Sequence, residues 1–114
     1  MSYNFNDLRQ PQLIYELKDV HNTILHIVPP IKELVDKMRA NLSRVLEILN
    51  GEDDAAIRQE IYTLAVHVMN CNLDNVHIAD GRDLALTYGM SVLDLCDFFI
   101  KYAEFINSIE NEKN

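Results

Sequence analysis

Tryptophan is absent from this 114-residue chain, and glycine, proline and cysteine number only 3, 3 and 2. Each shortage excludes something. Gly51, Gly81 and Gly89 are isolated, so no glycine-rich loop can be assembled to cradle a phosphate. Little of the irregular backbone that active sites commonly use is available. Cys71 and Cys96 belong to no CxxC or Cys/His cluster and read as buried thiols rather than as a disulfide or zinc framework. No apolar run approaches the ~20 residues that span a bilayer. The opening "MSYNFNDLRQPQ" has neither a basic n-region nor an apolar h-region, so a soluble, cytoplasmic protein is expected. Basic residues are scarce in one half only. Residues 1–50 hold six acids and six bases, whereas residues 51–114 hold twelve acids and four bases, so the net charge of -8 sits entirely in the second half. That half should repel nucleic acid and favour basic or apolar protein partners.

The chain is not short of apolar side chains. At 48% hydrophobic content it can bury roughly two-thirds of its unfolded surface in one domain spanning residues 1–114. Residues 1–11 carry no periodic signal and are expected to be a flexible arm. Residues 12–28 alternate: Leu13, Tyr15 and Leu17 share one face, with Ile14, Glu16 and Lys18 on the other. Asp19, His21 and Asn22 are turn formers, and Thr23 to Val28 supply a second strand, giving a β-hairpin with a loop of about four residues. Pro29 and Pro30 stop that strand, since neither can donate to a ladder, and Pro30 suits the first turn of a helix.

Residues 30–110 then read as helices, for an overall class that is mainly α: an N-terminal β-hairpin followed by a small helical bundle of three to four helices. Ile31, Leu34, Val35, Met38, Leu42, Val45, Leu46 and Leu49 recur at helical spacing up to a stop at Asn50-Gly51. Asp53 or Asp54 should cap a second helix with the stripe Ile57, Ile61, Leu64, Ala65 and Val68, fading near residues 70–72. Residues 73–79 look irregular, with Val76 and Ile78 as anchors. Asp80 should cap a short helix through Leu84, Ala85 and Tyr88 to a stop at Gly89. Ser91 opens the last helix, with Asp94 at the position where a capping box usually carries Glu or Gln. Val92, Leu95, Cys96, Phe99, Tyr102, Ala103, Ile106 and Ile109 form its core stripe, and Leu93, Phe98 and Phe105 widen the apolar surface beyond one face. That helix is either central to the core or in contact with another molecule, and the two can coexist.

No chemistry gathers along this pattern. His21, His26, His67 and His77 have no metal spacing and read as solvated or hydrogen-bonded histidines. The stretch "DNVHIADGRD" fails as a calcium loop, because Ile78 and Val76 stand where oxygen ligands are needed. The pairs Asp80/Asp83 and Asp94/Asp97 fall at helix starts, where the macrodipole favours Asp without any catalytic role. Ser43, Ser91 and Ser108 lack a nucleophile-elbow context. Neither an enzyme nor a cofactor or metal site is expected.

The order of parts nonetheless resembles a known family. The start "DLRQPQLIYELKD", the junction "TILHIVPPIKELVDKM" and the ending "LDLCDFFIKYAEFINSIENEKN" resemble the tail assembly chaperones of long-tailed bacteriophages and prophages of Gram-positive hosts. The resemblance spans nearly the whole chain and rests on layout. It implies a small acidic helical protein that keeps the long tape measure protein soluble until tail tube protein polymerises around it, in the host cytoplasm and not in the mature virion. Adhesion would be the only chemistry needed: apolar helix residues burying area against the client, with acids keeping the complex dispersed. Leu95, Phe98, Phe99, Tyr102, Phe105 and Ile109 are the expected client-binding residues. Leu13, Tyr15, Leu17, Leu25 and Ile27 mark a hairpin that either only caps the helices or also offers an edge for a homo-oligomer. The alternative function is a small acidic adaptor or inhibitor that binds a host protein, through mimicry of DNA charge for example. No membrane and no nucleic acid partner is expected under either.

Overall fold

The computed structural model describes residues 11–29 and 55–112, with positions 32, 36, 39, 40, 45, 47, 50 and 51 between them. A two-stranded antiparallel hairpin, β1 (Leu13–Glu16) and β2 (Ile24–Ile27), is followed by three helices, α1 (Ala55–Met69), α2 (Gly81–Leu86) and α3 (Val92–Glu112). The expected arm over residues 1–11 lies outside the described residues except for Pro11, as do most of the helix expected over 31–49 and the cap at Asp53 or Asp54. Lys32, Asp36, Arg39, Ala40, Val45 and Glu47 are individually helical, and Asn50-Gly51 is a turn with Gly51 at φ +92°.

The hairpin pairs Leu13 with Ile27, Ile14 with His26, Tyr15 with Leu25 and Glu16 with Ile24. Leu17 N–H donates to Thr23 O at 2.8 Å, closing a loop over residues 18–22 that is one residue longer than expected. Asp19 builds that loop. Its carboxylate accepts from Thr23 N–H at 2.8 Å and from the Thr23 hydroxyl at 2.6 Å, and Asn22 turns the chain at φ +49°. The odd-numbered side chains Tyr15, Leu17, Leu25 and Ile27 are buried on the helices, which is the alternation seen in the sequence.

Reciprocal side-chain caps start both α2 and α3: α3 has a capping box with Asp94 where Glu or Gln is customary, and in α2 the return bond of Asp83 goes to Ala79, one residue before the N-cap Asp80. Asp83 N–H donates to Asp80 Oδ1 at 2.8 Å while Ala79 N–H donates to Asp83 Oδ2 at 3.0 Å. Ser91 N–H donates to Asp94 Oδ2 at 2.9 Å, and Asp94 N–H donates back to Ser91 Oγ at 3.2 Å. The Ala79 amide and the Thr87 hydroxyl hold the Asp83 carboxyl below the ordinary range.

The irregular stretch 73–79 is ordered by two asparagines at the end of α1. Asn70 bonds both backbone groups of Ile78, donating to its carbonyl at 3.0 Å and accepting from its N–H at 2.8 Å. Asn72 donates to Met69 O and Val76 O, each at 2.8 Å, and accepts from the amides of Asp74 and Val76. Ile78 is thereby held fully buried in the core. α1 packs on both α2 and α3, and the hairpin sits against α1 and α3.

Candidate functional site

The client-binding residues expected on α3 divide sharply. Leu95, Phe98, Phe99 and Tyr102 are core residues, each no more than 2% exposed, while Phe105 and Ile109 are half-buried. Of the two readings of this helix, core or contact surface, Leu95, Phe98, Phe99 and Tyr102 take the first and are corrected as client-binding residues, while Phe105 and Ile109 keep part of their surface. The physical reason is the hairpin. Tyr15 stands edge-on to Phe98 with centroids 4.9 Å apart, and Phe98 in turn contacts Phe99 at 5.4 Å and stacks on Tyr102 at 5.8 Å. The sheet covers a side of α3 that α1 alone would leave open. Cys96 completes the enclosure, its thiol lying 3.9 Å from the carbonyl of buried Val45.

Tyr15 also enters the electrostatics of α3. Its hydroxyl lies 3.5 Å from both Asp94 O and Asp97 Oδ2, and Lys101 Nζ sits 5.8 Å from its ring centroid while pairing with Asp97 at 3.1 Å. Burial first, then the charges of Asp97 and Asp94, push the Tyr15 phenol up to about 12. Burial likewise raises Tyr102, whose hydroxyl is enclosed with no hydrogen-bond partner among the described residues.

What α3 does present outward is a different pair. Leu93 is 60% exposed and Ile100 is 40% exposed, one heptad apart, on the side of the helix opposite Tyr102 and Ile106. Exposed Asp97 and Glu104 flank them along the same ridge. Leu93 was legible as surplus apolar surface, but Ile100 belonged to no expected set. Its angular position opposite the buried stripe is the signal that finds it.

The hairpin residues named for an assembly edge turn their side chains to the helices, as a docked hairpin requires, so such an edge consists of backbone groups. Tyr15, Leu17, Leu25 and Ile27 are buried and Leu13 is half-buried against the core, so none of these side chains is offered to a partner. Residues 71–74 cover the β2 edge at His26 and Val28. Val28 N–H donates to Cys71 O at 2.9 Å, Leu73 N–H donates to His26 O at 3.0 Å, and Asp74 accepts from both His26 N–H and His26 Nδ1. Val20, Ile14 and Ile24 are the exposed apolar residues of the hairpin, at 92%, 65% and 47%.

A groove of about 530 Å³ between α1 and α2 presents Arg58, Gln59, Thr63 and Arg82. Its one carboxylate, Asp80, is engaged in capping, and Tyr62 Oη donates to Met90 O at 2.6 Å. The groove therefore brings no nucleophile and base together. Among the described residues no group of three or more His, Cys, Asp or Glu could hold a metal ion, and no helix is long and apolar enough to cross a membrane. Cys71 and Cys96 are not joined in a disulfide, and burial raises the Cys71 thiol above its ordinary value. No protein-family model, curated protein or solved structure matches the chain.

Proposed function

We propose that the protein is a tail assembly chaperone of a long-tailed bacteriophage, acting without catalysis in the host cytoplasm and absent from the mature virion. It holds apolar helical segments of a tape measure protein until tail tube protein replaces it. In this reading the helical positions between residues 32 and 47 belong to one more helix, which makes a bundle of four with α1, α2 and α3. The client's identity comes from the layout of the sequence. The contact is assigned to the Leu93/Ile100 ridge in place of the buried aromatic set.

The observation that carries the proposal is that ridge, with Asp97 and Glu104 beside it. Exposures of 60% and 40% add up to about one apolar side chain. Burying one is worth roughly 1.5–3 kcal/mol, or about one to two decades of affinity. Anchors seven residues apart suit a helix laid alongside α3, and the flanking acids favour basic residues around the client's apolar stripe. With a net charge of -8 the loaded complex stays dispersed.

Co-expression with a tape measure fragment that is insoluble alone tests the reading. The wild-type chain should keep the fragment in the supernatant, and Leu93→Asp with Ile100→Asp should abolish this while leaving helicity and thermal midpoint near wild type. Rescue that survives the double substitution would overturn the assignment to this ridge. Loss of rescue on charge reversal at Asp97 and Glu104, with Leu93 and Ile100 variants unaffected, would favour the acidic adaptor instead.

A further inference from the structure

The two backbone edges of the hairpin differ. On β2 the outward groups of His26 and Val28 are engaged by residues 71–74, with Ile27 bridged to Asn72. On β1 the bond from Leu17 N–H to Thr23 O sets the alternation: Leu13, Tyr15 and Leu17 turn their backbone groups toward β2, and Ile14 and Glu16 turn theirs away. The next outward amide, Lys18, already donates to Tyr88 O at 3.2 Å. Among the described residues nothing pairs with the outward groups of Ile14 and Glu16, and the Ile14 side chain is 65% exposed.

We infer that β1 is the interface between two copies of this chain, paired antiparallel about a two-fold axis at Ile14 to make a four-stranded sheet ordered β2–β1–β1–β2. Because residues 71–74 occupy the β2 edge at His26 and Val28 and leave only Ile24 there, too little of β2 remains for head-to-tail addition, so a β1-to-β1 contact is isologous and stops at two. Outward residues pair with outward residues, which leaves few registers. With Ile14 opposite the partner's Ile14, Gln12 stands opposite the partner's Glu16, so apolar meets apolar at the axis and a neutral amide faces each carboxylate. Sliding by four residues sets Glu16 against the partner's Glu16 and calls on the Lys18 amide, which Tyr88 occupies. The intermediate register sets Ile14 against a carboxylate. The sheet so formed carries Ile14 and the 47%-exposed Ile24 of both copies on its outer face, and four strands are better supported than a lone pair. The contact leaves the outer face of α3 out of the pairing, so it stands or falls separately from client binding.

Size-exclusion chromatography with light scattering on the full chain reads the stoichiometry. The wild type should show twice the monomer mass. Ile14→Pro removes an outward N–H, costs β1–β2 no hydrogen bond and should return the mass to one chain, weakening association at least tenfold, with circular dichroism unchanged. Ile14→Cys, oxidised in the intact fold, should give a disulfide joining residue 14 to residue 14 in the peptide map, and it decides the matter should the proline variant unfold. A wild type that stays monomeric at its highest attainable concentration, a dimer that survives Ile14→Pro, or a dimer with no cross-link at residue 14 would each overturn the inference.

Discussion

Gly89 should be the least replaceable glycine in the chain, and the cost of losing it can be worked from the coordinates. Gly89 has φ +69°, and a Cβ built there would lie 2.6 Å from the carbonyl oxygen of Lys18 and 3.0 Å from its carbonyl carbon. Gly51 is the natural control, because it also has a left-handed φ of +92° but no atom within 4 Å of an added Cβ. Gly51→Ala therefore carries only the backbone penalty, about 1–2 kcal/mol. Gly89→Ala carries that and a collision with main-chain atoms that cannot rotate away, so the hairpin must lift. Lifting it breaks the bond from Lys18 N–H to Tyr88 O, worth about 0.5–1.5 kcal/mol, and loosens the contact of Leu17 with the core. The sum is roughly 2–4 kcal/mol. Urea unfolding of both variants at neutral pH is the assay. Gly89→Ala should fall below Gly51→Ala by at least about 1 kcal/mol in extrapolated stability with a similar slope. Equal stabilities within about 0.5 kcal/mol would refute the close approach of the hairpin to residues 88–89 and with it the packing that encloses the α3 aromatics.

Tyr102→Phe should leave stability unchanged or raise it by about 1 kcal/mol in the same urea assay, because the buried hydroxyl has no partner among the described residues; a loss above about 1 kcal/mol would show that the hydroxyl is bonded. Alkaline pH should unfold the protein. Tyr15 keeps its proton to about pH 12 when folded against an ordinary value of 10.0, so the folded state binds the proton more tightly and this stabilisation is complete below about pH 10 and lost as pH rises toward 12. Thermal midpoints measured across that range should fall less steeply in Tyr15→Phe than in wild type, and parallel curves would exclude Tyr15 as a contributor.

Much of the chain was legible from local physics. Alternation at Leu13, Tyr15 and Leu17 marked the buried face of β1, since a strand has no other way to sort its side chains. Asp80 and Ser91 marked two helix starts, since a free amide there is best satisfied by a side chain a few residues away. Asn70 and Asn72 looked like the fading end of a helix, and their role in ordering residues 73–79 was invisible because their partners are not set by any periodicity. The last helix was ambiguous for a plainer reason: apolar residues occupy too much of its circumference for a pattern to say which side faces inward.

The sequence by itself determined roughly where the strands and described helices run, which residues cap α2 and α3 and that one surplus of apolar surface lies on the final helix, because each of these follows from interactions within a few residues. Only the tertiary structure decided which part of that surplus is hidden. Tyr15 reaches Asp97 across 82 positions and His26 reaches Asp74 across 48. Contacts so far apart in the chain enclose Phe98 and Tyr102, cover the β2 edge at His26 and leave Leu93, Ile100 and Ile14 in the open. Their placement depends on how the hairpin docks, and docking is a property of the packed whole.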